Sequence, residues 1–485
     1  MKKLFYVLIA AMATSLLGGC LDTGSSAPPP PWLTSTAGDG RVVLNWTATP
    51  GVDYWVFAAT DPALTAFNWT GLANAQAVVA SPVPSYICGL IDGMTYYFAT
   101  NGRINGGPGG PSSPTISLMP HNASANWQLN GTTLSSDIYG LGYTGLTTCA
   151  NNAALSATGT FAAVGAGGAI FTSPDAISWT AQSSPIATNL NAVAGYAVNQ
   201  NNATTPGLRW VAVGNGGKAV YSTDGINWTA ATATTTTQNL RSIIQVSGSF
   251  YAVGDAGTIV SSSDGNSWST PQTITPTVTY SLNGIAHAGY WVAVGNNGAI
   301  VTNGGSWVSL PNSVPTSYPQ PLSTSPTTQN LRQVAAIATV YGSIYVAVGD
   351  NGTIVTSDSY NHNGRWTLVG SPDDTPGNTV PLDITTGLAP NFVGVTVEPR
   401  GVETTTAYTT APQIDPWLGF ISAAQFVAID NDGNTYTSIN GHDWTASVST
   451  GITACTTGTS CMNPLISSGF GYVAVGDNGK TAYAF

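Results

Sequence analysis

Trp210 to Trp228, WVAVGNGGKAVYSTDGINW, constrains this chain more than any other stretch, because six other segments repeat its skeleton. Val211, Val213 and Val220, with nearby aromatics, form β-branched runs of period two, the pattern of half-buried strands. Asn215, Gly216 and Gly217 interrupt the runs and accept the positive φ of a tight hairpin turn. A second polar turn follows at Ser222 to Gly225, where short side-chain oxygens bond local backbone, and Trp228 then offers a large ring to a buried face. The skeleton predicts two hairpin strands and the turn into a third.

The hairpin recurs as FAAVGAGGAIF from Phe161, FYAVGDAGTIV from Phe250, WVAVGNNGAIV from Trp291, YVAVGDNGTIV from Tyr345, FVAIDNDGNTY from Phe426 and YVAVGDNGKTAY from Tyr472. Six copies run on to a tryptophan: Trp179, Trp228, Trp268, Trp307, Trp366 and Trp444. Another short apolar segment precedes each hairpin, for example at Leu190, Leu240, Leu282 and Leu331, so each unit is expected to hold four strands. Such units cannot cover both faces alone, and radial stacking as a β-propeller resolves this. The last copy ends at Phe485 with no outer strand, while Asn126, Trp127, Gln128 and Leu129 precede the first hairpin with none of their own. This N-terminal strand is expected to complete the last unit, and loss of a core Trp127 ring would cost about 3 to 5 kcal/mol.

Only 7% of the 485 residues are charged, against about 25% in an average domain, and no sustained helical period appears. An all-β chain follows. Lys2 and Lys3 precede an apolar run from Leu4 to Leu17, short for a membrane span, which ends in Leu17, Gly18, Gly19 and Cys20. These residues resemble a bacterial lipoprotein signal, which implies cleavage after residue 19 and lipidation of Cys20; the alternative is a secretory signal with an incidental cysteine. In that family, Leu21 rather than Asp after the cysteine leans toward the outer membrane, on its periplasmic or surface face. Without residues 1–19 the chain has 9 basic and 22 acidic residues, formally −13, which makes nucleic acid and anionic bilayer surfaces poor partners. In an oxidising compartment Cys455 and Cys461 are candidates for a loop disulfide, while pairing of Cys88 with Cys149 depends on geometry. The four histidines show no ligand spacing to these cysteines, so neither a metal nor another cofactor is expected.

Residues 20–31 are rich in Ser, Gly and Pro and read as a tether. Residues 32–119 contain strand-like runs VVLNW, YWVFAA and YYFAT. Trp46, together with Leu90, Gly93, Tyr96 and Phe98, resembles the fibronectin type III pattern, in which Trp46 would fill the sandwich core and Tyr96 would be the tyrosine corner. The expected fold is therefore all-β, a fibronectin type III β-sandwich followed over 120–485 by a seven-bladed β-propeller closed by an N-terminal strand.

The turns Ser222, Asp224, Gly225, Trp228 and Ser262, Asp264, Gly265, Trp268 resemble the Asp-box of bacterial neuraminidase repeats, one residue shorter than the usual box. Ser173, Asp175 and Trp179 match with Ala176 for glycine, and Ser438, Asn440, Gly441 and Trp444 match with asparagine for aspartate. In that superfamily the box is a structural turn remote from catalysis. A sialidase needs an arginine cluster, a Tyr and Glu pair and an acid Asp, yet the only glutamates, Glu398 and Glu403, fall in one long loop with Arg400. AVGDNGKT at Ala474 to Thr481 fits a relaxed phosphate-loop pattern but aligns with the other hairpin turns, as does the calcium-loop-like run Asp430 to Asn434.

Arg241 and Arg332, in matching contexts QNLRS and QNLRQ, are expected to begin innermost strands near one mouth of the ring, to bind an anionic group or to bond between blades. Long connections after Trp307, Trp366 and Trp444 enrich one sector in Pro, Tyr, Ser and Thr, and add Tyr318 and Asp373 as candidate contacts. The hairpin repeats also resemble propellers of the photosystem II assembly-factor type, which implies a scaffolding role. These readings favour a lipid-anchored, non-catalytic binding module for a protein or glycan ligand; the competing expectation is a sialidase-like glycoside hydrolase acting on extracellular polysaccharide.

Overall fold

The computed structural model describes residues 24–485 except 31–33, 39, 80, 82, 84, 89, 91, 122, 146–158, 199–206, 233, 311–324, 340–341, 359–365, 371–388, 400–423, 439, 453–463 and 469–470. Among the described residues all regular structure is strand or short 3-10 turn. The chain divides into two compact units, the first taking residues up to Thr36 with 43–86 and 94–119, the second taking 37–42, 87–93 and 120–485.

In the N-terminal part, a five-stranded antiparallel sheet is built on Tyr96–Ile104, which pairs with Ser25–Ala27, Asp53–Ala59 and Ile116–Leu118, while Gln76–Val78 flanks Asp53–Ala59. A second sheet joins Thr34–Gly38, Arg41–Asn45 and Ser85–Cys88. Period-two alternation along Asp53–Ala59 buries Tyr54 and Val56, and the Trp46 ring meets Tyr54 edge-on at 5.8 Å. Tyr96 is also buried. On the other face, Phe57 packs with Leu64 and the Trp69 ring.

Seven sheets follow among the described residues of the second unit. The first holds Ile138–Tyr143, Phe161–Gly165, Ile170–Ser173 and Thr180–Gln182, and the second Leu190–Val198, Gly207–Gly214, Ala219–Ser222 and Trp228–Ala230. The third has Leu240–Val246, Ser249–Gly254 and Ile259–Ser262; the fourth has Leu282–Ala288, Tyr290–Gly295, Ile300–Asn303 and Trp307–Ser309. Leu331–Thr339, Gly342–Gly349, Ile354–Asp358 and Trp366–Leu368 form the fifth, and Phe392–Pro399, Ala424–Asp430, Asn434–Ser438 and Thr445–Ser449 the sixth. The seventh orders Leu465–Ser467, Tyr472–Val475, Thr481–Ala484 and Gln128–Leu129.

Two sheets depart from the expected four strands. In the third, the segment after Trp268 lies along Ile259–Ser262 through Ser269 N–H to Ser261 O and Gln272 N–H to Ile259 O, both 2.8 Å, but Pro271, which has no N–H, interrupts the regular ladder between them. The chain then crosses, and Ile274–Thr275 adds a parallel fifth strand outside Trp307–Ser309 of the fourth sheet.

The core lies between sheets. Ala192, Val211 and Val213 of the second sheet pack with Leu240, Ile243 and Phe250 of the third, and Val473 and Val475 of the seventh pack with Ile138, Phe161 and Phe171 of the first. Polar links repeat on one edge. The residue preceding an innermost strand accepts a hydrogen bond from a backbone N–H in the previous sheet's hairpin turn: Asn189 from Gly167, Asn239 from Gly216, Asn330 from Asn297 and Asn391 from Asn351. Asp137, which precedes the first sheet, accepts likewise from Asn478 of the seventh at 2.7 Å.

Gln128 and Leu129 pair antiparallel with Tyr483 and Ala482, so the residues before the first hairpin supply the last sheet's missing strand as expected. The expected weight of Trp127 is corrected downward. Its ring is only partly buried against Tyr472, Ala474 and Ala482, and its indole N–H has no partner, because no Asp-box turn precedes it. Trp127→Ala is therefore expected to cost about 2 to 3 kcal/mol, below the full range for buried tryptophan, and urea unfolding of the variant measures this. Trp179 is also partly exposed, whereas Trp228, Trp268, Trp307, Trp366 and Trp444 are buried.

Candidate functional site

The sequence's most conspicuous polar motif is a folding device in this structure. In the turn after Ala219–Ser222, Asp224 Oδ1 accepts from the N–H groups of Ile226 and Asn227 at 2.8 Å, Ser222 Oγ accepts from Gly225 N–H, and Trp228 Nε1 donates to Gly225 O at 3.1 Å. The same indole bond joins Trp179 to Ala176, Trp268 to Gly265 and Trp444 to Gly441. Burial opposes ionisation of Asp224, but hydrogen bonds from Asn227, Ile226 and Ser222 outweigh it and hold the carboxyl at about 2. Asp264 is lowered too, first by the Ser267 N–H, and Asp175 is lowered by its turn N–H groups against a burial penalty.

These groups have folded-state values below the ordinary 3.8, so their stabilisation is complete above about pH 4 and is lost as pH falls toward 2. Thermal melts are expected to hold steady from pH 7 to about 4 and decline below it. Asp224→Asn should keep the turn at pH 7, because Asn440 makes the same bonds to His442 and Asp443 N–H, and should flatten part of the acid decline.

One edge of the ring of innermost strands gathers the arginine candidates. Arg241 and Arg332 are each the second residue of an innermost strand, and each pairs with the first residue of its own sheet's hairpin turn. Arg241 Nε lies 2.5 Å from Asp255 Oδ1; Arg332 is bidentate, with Nε 2.7 Å from Asp350 Oδ1 and Nη2 2.9 Å from Oδ2. Burial works against the Asp255 carboxylate, yet the bonds from Arg241, Ser281 and Asn239 hold its pKa below the usual value. Where the strand carries asparagine, the turn carries asparagine: Asn191 Nδ2 donates to Asn215 Oδ1 at 2.9 Å and Asn283 Nδ2 to Asn296 Oδ1 at 2.8 Å. Both arginine-bearing strands face an aspartate in the turn, Asp255 and Asp350, although the seventh sheet's turn also opens with aspartate, Asp477, with no arginine on Leu465–Ser467.

The next residue inward is Gly140, Ala192, Ser242, Gly284, Gln333 or Gly394 in the first to sixth sheets. Neighbouring innermost strands touch here, for a methyl on Gly140 would meet Ala192 Cα at 2.7 Å. The second to fifth sheets thus carry Asn191, Arg241, Ser242, Asn283, Arg332 and Gln333 at this edge, a polar sector that the sixth sheet, with Val393 and Gly394, does not continue.

Inside the ring lies a cavity of about 770 Å³ lined by residues from the innermost strand of every one of the seven sheets. Leu141, Val193, Ile285 and Val395 supply apolar wall, while Gln245, Gln333 and Thr396 add polar groups. Among the described residues no Asp, Glu, Lys, Arg or His lines it. Its one-strand-per-sheet construction was not anticipated from the sequence.

Tyr318, Asp373, Cys20, Cys455 and Cys461 lie outside the described residues, as do Glu403, Arg400 and Cys149. Among the described residues no group of three or more His, Cys, Asp or Glu is placed to hold a metal ion. Asp430 is buried and engaged by Asp432 N–H, Asn434 N–H and Tyr436 Oη, so the calcium-like run serves as a hairpin turn.

A family model described as the DUF6242 beta propeller domain matches residues 173–339. No curated protein matches the chain. Among solved structures, YCF48 bound to D1 peptide is 14% identical with a TM-score of 0.46, over 74% of this chain and 94% of that one. YCF48 from Cyanidioschyzon merolae is 13% identical with a TM-score of 0.44, over 74% and 99%. The WD40 beta propeller domain of Doa1 is 10% identical with a TM-score of 0.42, over 74% and 96%. The all-β chain carries a β-propeller domain, and the match to DUF6242 falls within its second unit.

Proposed function

We propose that this chain is a lipid-anchored, non-catalytic binding module: a fibronectin type III-like spacer followed by a seven-bladed propeller closed by Gln128–Leu129, which engages a protein or glycan ligand around the mouth and cavity of the ring. The observation that carries the reading is the cavity lined by all seven innermost strands, beneath a mouth where the second to fifth sheets carry Asn191, Arg241, Asn283 and Arg332 and the sixth carries Val393. Features repeated in every sheet are architecture; a sector that breaks the repeat is where specificity resides. The Arg332–Asp350 pair is rigid and nearly neutral, so it offers directional hydrogen bonds rather than net charge. Tyr318 and Asp373 belong to the long connections that follow Trp307 and Trp366.

The Cys20 anchor rests on the Leu17–Cys20 signal, and its assignment to the outer membrane on Leu21. Full-length protein on a glycan array and in pull-downs from envelope extracts is expected to retain a ligand, with Arg332→Ala weakening retention about tenfold. Turnover of sialosides or β-glucans that a single carboxylate substitution abolishes would replace this reading with the hydrolase. Mass analysis of the mature N-terminus is expected to show a diacylglyceryl cysteine, absent from Cys20→Ser.

A further inference from the structure

We infer that the ring cavity is a binding site for an uncharged saccharide unit, held at the level of Tyr143, Tyr196 and Gln245. The inference rests on the reading of the chain as a binding module and names the ligand class of that site. These three residues line the cavity from the first, second and third sheets, and each is the sixth or seventh residue of its innermost strand, so they stand at one level of the ring.

Charge decides the ligand class first. Among the described residues, the 21 that line the cavity include no carboxylate, ammonium, guanidinium or imidazole. An ionic group entering the cavity would give up hydration without meeting a counter-charge, an unfavourable exchange for any anionic or cationic ligand. A polyol has no such penalty. It needs hydrogen-bonding groups and apolar faces in alternation, and the cavity supplies both.

Tyr143 and Tyr196 are partly exposed, on neighbouring strands. Each ring is braced from behind, Tyr143 against Phe161 at 4.5 Å and Tyr196 against Phe250 at 5.8 Å, so both present fixed amphipathic surfaces suited to the C–H face of a sugar ring. Tyr196 Oη reaches Gly248 O at 3.3 Å, a long bond that holds the ring's direction. Gln245 is partly exposed, and its side-chain amide has no hydrogen-bond partner among the described residues. It offers a donor and an acceptor to neighbouring hydroxyls. The innermost strands are ladder-paired on one side only, which leaves backbone N–H and C=O groups along the cavity wall.

An extended peptide fits less well. Added as a strand it needs about 4.8 Å to its neighbour, and at the level of Gly140 the adjacent innermost strands are already in contact. The cavity volume is within the usual range for a small ligand, roughly 300 to 1,000 Å³.

The test titrates full-length protein, held in a detergent without a sugar headgroup, with maltohexaose, cellohexaose, laminarihexaose and hexagalacturonic acid by calorimetry. At least one neutral hexasaccharide is expected to bind saturably, and the polyanion is expected not to. Tyr143→Ala and Tyr196→Ala should each weaken binding about tenfold or more, and Gln245→Glu should abolish it by placing a charge in the wall. Tyr196→Phe keeps the stacking ring and should stay within about threefold, which separates lost stacking from lost fold alongside unchanged thermal melting. The inference is overturned if no neutral hexasaccharide binds, if the polyanion binds as well, or if the tyrosine variants with wild-type melting bind unchanged. Should a pulled-down ligand persist in those cases, the binding-module reading survives; if nothing is retained by either method, both readings fall.

Discussion

Trp366→Ala is expected to destabilise the protein by about 3 to 5 kcal/mol, the largest effect of any single large-to-small change in the repeat. The ring is 1% exposed and closes the wedge between the fourth and fifth sheets, packed with Val292, Val294 and Ile300 on one side and Val334, Ala347 and Val355 on the other. Tyr345, whose ring centroid is 6.3 Å from that of Trp366, fixes the same wedge through its hydroxyl. Tyr345 Oη donates toward Ala288 O and Tyr290 O, at 2.7 and 2.6 Å, and accepts from Ala288 N–H at 3.1 Å. Burial raises its pKa to about 12, so it remains a neutral donor throughout the working range. With both walls held at the hairpin end, the wedge has little freedom to collapse into the space the indole leaves. Urea unfolding should show a lowered midpoint with an unchanged slope; a loss below about 1 kcal/mol would mean that the sheets are not locked by their outer tryptophans.

Gly298→Ala is expected to cost about 3 kcal/mol or more, while Asn297→Gly, one residue earlier, should change stability by less than about 1 kcal/mol. Both residues have positive φ, +55° at Asn297 and +66° at Gly298. Backbone preference alone does not separate them. What does is the linker to the next sheet, whose Thr327 carbonyl oxygen occupies the place where a Gly298 Cβ would stand. The middle position is open, and the corresponding residue is glycine in two sheets, alanine in the third and asparagine in the fifth and seventh. Thermal melting of both variants tests the contrast, and equal losses would show that dihedral strain, not close approach, dictates this glycine.

Much of the strand order was legible because the repeat supplies its own comparison. Seven copies of the hairpin separate what every sheet needs, such as the aromatic at its start and the glycine ending its turn, from what single sheets add. Only six of the seven hairpin copies run on to a tryptophan, the unattached residues around Trp127 pointed to the seventh, and Gln128 pairs with Tyr483. The interrupted ladder beyond Ile259–Ser262 was less legible. Pro271 was visible, but that the chain would then cross to flank Trp307 depends on the apolar seat found by Ile274 and Val278 between sheets.

The candidate site was legible only in part. Arg241 and Arg332 stand at the starts of innermost strands as their context suggests, but their pairing with Asp255 and Asp350 was only partly legible, because Asp477 takes the same turn position with no arginine on its strand. The cavity was not. Tyr143, Tyr196 and Gln245 fall at equivalent or adjacent positions of three innermost strands, but the residue type changes from copy to copy, so the repeat itself does not mark them.

The sequence by itself determined the local chemistry: period-two strands, turns needing positive φ, and polar turns closed by an indole, since each of these is decided within about ten residues by backbone sterics and short-range hydrogen bonds. Only the tertiary structure decided which carbonyl crowds Gly298, which sheet receives Ile274–Thr275, and which side chains share the ring cavity. Those outcomes arise where sheets pack against one another, through contacts between residues dozens of positions apart that no local pattern encodes.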